Sequence, residues 1–186
     1  MSCFSPFARM LVLIAAVLSI AAATPAPRPR LVVLIIIDQF RADYLTRFSD
    51  LFSPGGFRRL MDGGAWMTDA TYNHLHVTTI PGHSVITSGT YGYRSGMIDN
   101  YWFDRAAGQP RPALADSQYH ILGKQPQPDD HTSPRSIQGS TLSDELRMAT
   151  NFKGKAVAIA MKDYSAIVCA GTLGTPYWFD TGAGLF

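Results

Sequence analysis

The run Leu31-Val32-Val33-Leu34-Ile35-Ile36-Ile37 constrains this chain more than any other stretch. An uninterrupted apolar run, largely β-branched, has no polar face to turn to water. It therefore predicts a strand covered on both sides in a parallel sheet. The run ends at Asp38. A carboxylate directly after a buried parallel strand lies at the carboxyl edge of the sheet, where α/β folds build their sites. A helix cap for the following segment is the other reading of the same residue.

A second run of this kind, Ala156-Val157-Ala158-Ile159-Ala160-Met161, ends at Lys162-Asp163 just as the first ends at Asp38. Between them lie helical patterns. Tyr44, Leu45, Phe48, Leu51 and Phe52 recur at helical spacing and stop at Pro54-Gly55-Gly56, and Phe57, Leu60 and Met61 share one face before Gly63-Gly64. Ala65 to Thr68 and Tyr72 to Thr78 read as short strands. Thr141-Leu142-Ser143-Asp144 carries a capping-box pattern, opening a helix expected to run to about Asn151. With 186 residues, 46% of them apolar, one sizeable core in one domain is expected. Arg105 to Gly139, with scattered prolines and few periodic apolar positions, reads as a long surface insertion.

The chain's beginning reads differently. Arg9 precedes the apolar run Met10 to Ala23, too short to span a bilayer and closed by Ala21-Ala22-Ala23. This predicts a secretory signal over residues 1–23, cleaved before Thr24, with an uncleaved anchor as the alternative. Residues 24–30, Thr-Pro-Ala-Pro-Arg-Pro-Arg, suit an extended linker. Export places the mature chain in the periplasm or outside the cell, with no stable membrane span after cleavage. Cleavage also removes Cys3 and leaves Cys169, in the apolar run Ala166 to Ala170, as a small core residue. Lys and Arg number 16 against 14 acids, a balance that does not point to a nucleic acid duplex as partner.

The chemistry centres on Val77-Thr78-Thr79-Ile80-Pro81-Gly82-His83. Pro81 suits the first turn of a helix, so Thr79 is expected just outside a helix N-terminus, where unpaired N–H groups and the dipole favour an anion. A nucleophilic hydroxyl and a simple capping hydroxyl both fit that position. His83 is expected to brace the Thr79 loop. His74 and His76 alternate, so on a strand they would share a face, as a metal pair or as hydrogen-bonded structural histidines. Asn100, in Gly96-Met97-Ile98-Asp99-Asn100, is either a turn residue or an amide donor to a phosphoryl oxygen. His120 and His131 read as surface residues. A carboxylate, a hydroxyl, an amide and the Lys162 cation near one sheet edge are the parts a phosphoryl transfer needs.

Those motifs, in order, resemble the alkaline phosphatase superfamily: Ile36-Ile37-Asp38-Gln39-Phe40-Arg41, Thr79-Ile80-Pro81-Gly82-His83, Gly96 to Asn100, and Asp144-Glu145-Leu146-Arg147 through Lys162-Asp163. Within it the resemblance is to the phosphate-irrepressible alkaline phosphatases and the type I phosphodiesterase/nucleotide pyrophosphatases, over nearly all of residues 30–186. It implies an α/β fold, a mainly parallel sheet with helices on both faces, here as the N-terminal part only. It also implies a phosphoric ester hydrolase acting on small-molecule phosphate esters. Asp38 and Thr79 would bind one Zn2+ of a two-zinc site. Thr79 would attack phosphorus and form a phosphothreonine, and Asn100 and Lys162 would hold the phosphoryl oxygens, with Tyr164 as a further candidate.

Two departures qualify what the resemblance implies. Monoesterases of the family carry arginine two residues after the lysine, where this chain has Tyr164, a neutral single donor in place of a charged fork. A phosphodiesterase therefore remains the alternative to a phosphomonoesterase. The family's remaining zinc ligands come from the later half of a much longer chain. As written, the chain is expected to lack a complete metal site and to be inactive by itself.

Overall fold

The computed structural model describes residues 29–122 and 131–186, so the expected signal and most of the linker lie outside the described residues. The chain divides into two units, one ending at Ile35 and one running from Ile36 to Phe186. The described part of the first unit, residues 29–35, forms no strand, and Leu31 to Ile35 expose half or more of their surface. This corrects the strand expected over Leu31–Ile37. The residue pattern records a need for cover on two faces; a strand also needs backbone partners, and the ladders among the described residues involve other segments.

In the second unit, α1 (Tyr44–Arg47) and a 3₁₀ turn (Ser49–Leu51) replace the single helix expected there, because Phe48 leaves the helical region at φ −113°, ψ 21°. Aromatic packing holds this segment: Phe40 stacks on Phe57 at 5.2 Å, and Phe52 meets the same ring at 5.1 Å. Phe57 opens α2 (Phe57–Gly63) directly after Gly56, whose φ of 59° suits a residue without Cβ. The strands expected at Ala65–Thr68 and Tyr72–Thr78 do not form.

Helix α3 (Thr79–Ser88) is the centre of this unit. It buries Ile80, Pro81, His83, Ser84 and Thr87, and ends at the left-handed Gly89, φ 64°. After α4 (Gly92–Ser95) comes an antiparallel hairpin, β1 (Tyr101–Asp104) against β2 (Gln109–Pro112), with Asp104 opposite Gln109. The segment expected as a surface insertion contributes to the core. Ala113, Leu114 and Ile137 are buried and cluster with Ile80, Met97, Ile167 and Val168. Sparse apolar positions without a period conceal such a role in the sequence.

Helix α5 (Leu142–Ala149) begins with the capping box read from the sequence: the Thr141 side chain accepts from Asp144 N–H, and Asp144 reaches back to Thr141 N–H. Then β3 (Val157–Ala160), α6 (Asp163–Ala170) and β4 (Thr175–Trp178) form a βαβ unit with a parallel ladder, Val157 opposite Thr175 and Ala160 opposite Trp178. Ile167 and Val168 of α6 and Ile80 of α3 meet in the core cluster, so the helix carrying Thr79 and the unit carrying Lys162 share one packed interior.

Asp144 joins these parts. Its carboxylate, 1% exposed, accepts from Thr141 N–H (2.9 Å), the Thr141 hydroxyl (2.9 Å), the Thr172 hydroxyl (3.2 Å) and Leu173 N–H (2.7 Å). A Cβ on Gly171, φ 68°, would strike the Thr141 hydroxyl and this carboxylate. Replacing Asp144 by Ala strands several buried donors and is expected to cost about 3 kcal/mol or more. Urea unfolding of the chain measures this; an unchanged midpoint would mean that the donors find other partners.

Candidate active site

Asp38 follows the apolar run at a tight turn, where Gln39 takes φ 59° and Phe40 N–H donates to Ile37 O at 3.4 Å. The turn sets the carboxylate opposite the start of α3. Thr79 is the first residue of that helix rather than the residue before it, and its hydroxyl, on a residue only 9% exposed, donates to Asp38 Oδ2 at 3.0 Å. One turn on, His83 Nδ1–H donates to Thr79 O at 2.8 Å, the bracing role expected of it. The carbonyl can only accept, which puts a proton on Nδ1.

The helix cap comes from elsewhere. Thr78 is the N-cap residue, but its side chain makes no capping bond. Asn100 Oδ1 instead accepts Ile80 N–H at 2.8 Å. Because a carbonyl oxygen occupies that contact, the amide orientation is fixed and Asn100 Nδ2 is left as a donor beside the helix N-terminus.

Lys162 stands at the end of β3 as the N-cap residue of α6, with Nζ 3.4 Å from Asp38 Oδ2. The Thr79 hydroxyl and the Lys162 ammonium thus meet on one carboxylate oxygen, across sequence separations of 41 and 124 residues. The Tyr164 ring lies 5.6 Å from Lys162 Nζ and packs against the core cluster. Of the residues read from the sequence, Asp38, Thr79 and Lys162 touch directly, while Asn100 joins them through the backbone of Ile80.

Partial burial pushes the Asp38 carboxyl up, but the Thr79 hydroxyl and then Lys162 outweigh it and hold the carboxyl below its ordinary value. Burial likewise works against the Lys162 ammonium, and Tyr164 and Asp38 outweigh it, raising that pKa. For a divalent ion, Asp38 and Thr79 offer two oxygen donors at hydrogen-bond distance. Two such residues do not complete a tetrahedral ligand set, and no group of three His, Cys, Asp or Glu suited to a metal occurs among the described residues.

The two histidines before α3 take the hydrogen-bonded reading: His74 Nδ1–H donates to His76 O at 3.1 Å, and His76 Nε2 lies 3.1 Å from Asp99 Oδ2. In the segment after β2, Asp116 accepts from Ser133 at 2.7 Å and lies 3.7 Å from Arg135, while His120 and His131 rest ring against ring at 4.7 Å. Sequence reading passed over Asp99 and Thr78, which bond each other at 3.0 Å beside the site. The one local signal was Asp99 immediately before Asn100, an ordinary turn pair.

Residues 32–177 match the type I phosphodiesterase / nucleotide pyrophosphatase family. The chain is 37% identical over 160 residues to the alkaline phosphatase PhoV of Synechococcus elongatus, covering 86% of this chain and 29% of that protein. Against the alkaline phosphatase PafA of Elizabethkingia meningoseptica it is 33% identical over 161 residues, 86% of this chain and 30% of that one. The crystal structure of PafA superposes with a TM-score of 0.81 at 32% identity, over 87% of this chain and 31% of PafA. A solved PafA variant, with a TM-score of 0.81 at 30% identity over 87% of this chain and 31% of that one, carries replacements of a threonine, an asparagine, a lysine and an arginine. This chain therefore spans less than a third of the length of these relatives, and the part it spans has the alkaline phosphatase fold.

The shared oxygen of Asp38 sets a pH dependence. A depressed carboxyl contributes stability above the ordinary carboxylate range and loses it as pH falls below 3.8; a raised lysine loses its contribution only as pH rises past 10.5. In the metal-free chain, an NMR titration of the Asp38 carboxyl is expected to give a midpoint below 3.8 that moves up in Lys162→Ala. A midpoint indifferent to that substitution would separate the two groups.

Proposed function

This chain belongs to the type I phosphodiesterase / nucleotide pyrophosphatase family, within the alkaline phosphatase superfamily, and on that footing we propose that it carries the nucleophile of a phosphoric ester hydrolase, Thr79. The observation that carries the reading is the Thr79 hydroxyl bonded to Asp38 at 3.0 Å, on the same oxygen that Lys162 approaches at 3.4 Å. Thr79 Oγ1 forms a bond to phosphorus as the bond from phosphorus to the leaving oxygen breaks, giving a phosphothreonine that water then hydrolyses. The Asn100 amide N–H groups and the Lys162 ammonium hold the non-bridging oxygens as charge builds on them.

A carboxyl held below its usual range is a weak base, so Asp38 by itself does not ionise a threonine hydroxyl. Asp38 and Thr79 would hold a zinc ion, whose positive charge would supply that ionisation. Two donors do not complete a zinc site, and the remaining ligands, for two ions in all, would come from polypeptide beyond this segment. The working enzyme is accordingly the longer chain that carries these residues, and the segment by itself is inactive. Residues 1–23 would direct it to the periplasm or the outside, with residues 24–30 as a linker. No helix among the described residues is long and apolar enough to cross a membrane.

The substrate class is small phosphate monoesters, the reading that the alkaline phosphatases among the relatives support. Tyr164 favours a second reading, a phosphodiesterase. The PafA variant has an arginine among its four altered residues, whereas the neutral phenol beside Lys162 gives less charge to a dianionic group. In the full-length polypeptide, Thr79→Ala is expected to lower monoester hydrolysis by roughly 10³-fold or more. Wild-type rates in that variant would remove Thr79 as nucleophile. Tyr164→Arg is expected to shift the ratio of nitrophenyl monoester to diester hydrolysis toward the monoester by about tenfold. A wild-type enzyme already strongly favouring the diester would establish the second reading instead.

A further inference from the structure

Asp99 gathers three groups from two segments that flank the site. Its Oδ1 accepts the Thr78 hydroxyl at 3.0 Å and Asn100 N–H at 2.6 Å, and its Oδ2 faces His76 Nε2 at 3.1 Å. Thr78 is the N-cap residue of α3, but its side chain makes no capping bond; its hydroxyl donates to Asp99 and lies 3.3 Å from His76 Nε2. Ile80 N–H is taken instead by Asn100 Oδ1. The two bonds form one clasp: Asp99 draws the helix N-cap to the Asn100 backbone, and the Asn100 side chain then closes on the helix.

The clasp is poorly placed to stabilise the fold. The His76 and Asp99 side chains are 53% and 39% exposed, and a polar contact this exposed to water adds little to stability. Its geometric consequence is larger. Without it, the Asn100 side chain is held to the start of α3 by the Ile80 bond and its backbone by Ala113 N–H at 2.9 Å, and a misplacement of about 1 Å in a reacting group costs on the order of 10²-fold in rate.

We infer that Asp99 is a positioning residue for the phosphoryl site, holding the Asn100 amide against the N-terminus of the nucleophile helix through Thr78 and the Asn100 N–H. The inference rests on the reading of Thr79 and Asn100 given above. Asp99 touches no reacting atom. Its carboxylate works as a two-sided acceptor; an asparagine keeps the half that the inference needs, with Oδ1 accepting from the Thr78 hydroxyl and Asn100 N–H, while its Nδ2 puts a donor where the carboxylate faced His76 Nε2.

The test is a double-mutant cycle in the full-length polypeptide with p-nitrophenyl phosphate. Asp99→Ala is expected to lower kcat/KM by roughly 10- to 100-fold and Asp99→Asn by no more than about threefold. In an Asn100→Ala background, Asp99→Ala is expected to cost less than about twofold, because the amide it positions is gone. An undiminished, additive loss in that background would overturn the inference, as would full activity of Asp99→Ala in the enzyme that keeps Asn100. Thr79→Ala and Asn100→Ala without effect would instead sink the underlying site assignment. Amide exchange at Ile80 in the same polypeptide gives a readout free of activity: protection is expected to fall in Asp99→Ala and persist in Asp99→Asn. If Asp99→Ala does not fold, Asp99→Asn and Thr78→Val decide, and a Thr78→Val enzyme with unchanged Ile80 exchange and rate counts against the clasp.

Discussion

The site depends on one hydrogen bond, from Ile80 N–H to Asn100 Oδ1. A helix N-terminus leaves several N–H groups without partners, and a threonine at the N-cap would ordinarily take one of them. Here the capping oxygen arrives from 20 residues downstream, so the start of α3 and the loop before β1 are fixed to each other as one piece. That single contact orients the Asn100 amide beside the first turn of α3, which Thr79 opens, while the Thr78 hydroxyl donates to Asp99. The polar groups of the site are therefore arranged by backbone that must be satisfied for structural reasons.

A second constraint brings in the lysine. Asp144 is buried, and its four donors lie at the start of α5 and in the connection between α6 and β4. Removal of a buried, fully bonded carboxylate is costly because the donors around it keep their desolvation cost. The βαβ unit that carries Lys162 between β3 and α6 is thus held to α5 by polar contacts and to α3 by the apolar cluster of Ile80, Ile167 and Val168. Lys162 reaches Asp38 because both constraints hold together.

Much apolar surface is left uncovered. Leu31 to Ile35 are exposed, and so are Val157, Ile159 and Tyr177 on the parallel pair, in a chain that spans less than a third of its relatives' length. The legibility of the fold follows the same division. Residues whose neighbours are close in sequence were readable: the capping box at Thr141 and Asp144, the β3 run, the glycine stops of α2. Leu31–Ile37 was misread as a paired strand, and the burial of Ala113, Leu114 and Ile137 was not legible, since pairing and burial there depend on distant partners.

The sequence by itself determined the chemical inventory and its local settings: a carboxylate after an apolar run, a threonine at a Pro-marked helix start, an asparagine in a turn and a lysine at a strand end. Motif order sufficed for the family resemblance, because spacing along the chain survives without coordinates. Only the tertiary structure decided which groups share an atom. Thr79 and Lys162 converge on one oxygen of Asp38, and one oxygen of Asp99 accepts both the Thr78 hydroxyl and Asn100 N–H. The contacts of Asp38 with Thr79 and Lys162 and of Asp99 with Thr78 cross 21 to 124 residues, and over such separations no periodicity or propensity specifies a distance; packing of α3 against α6 does.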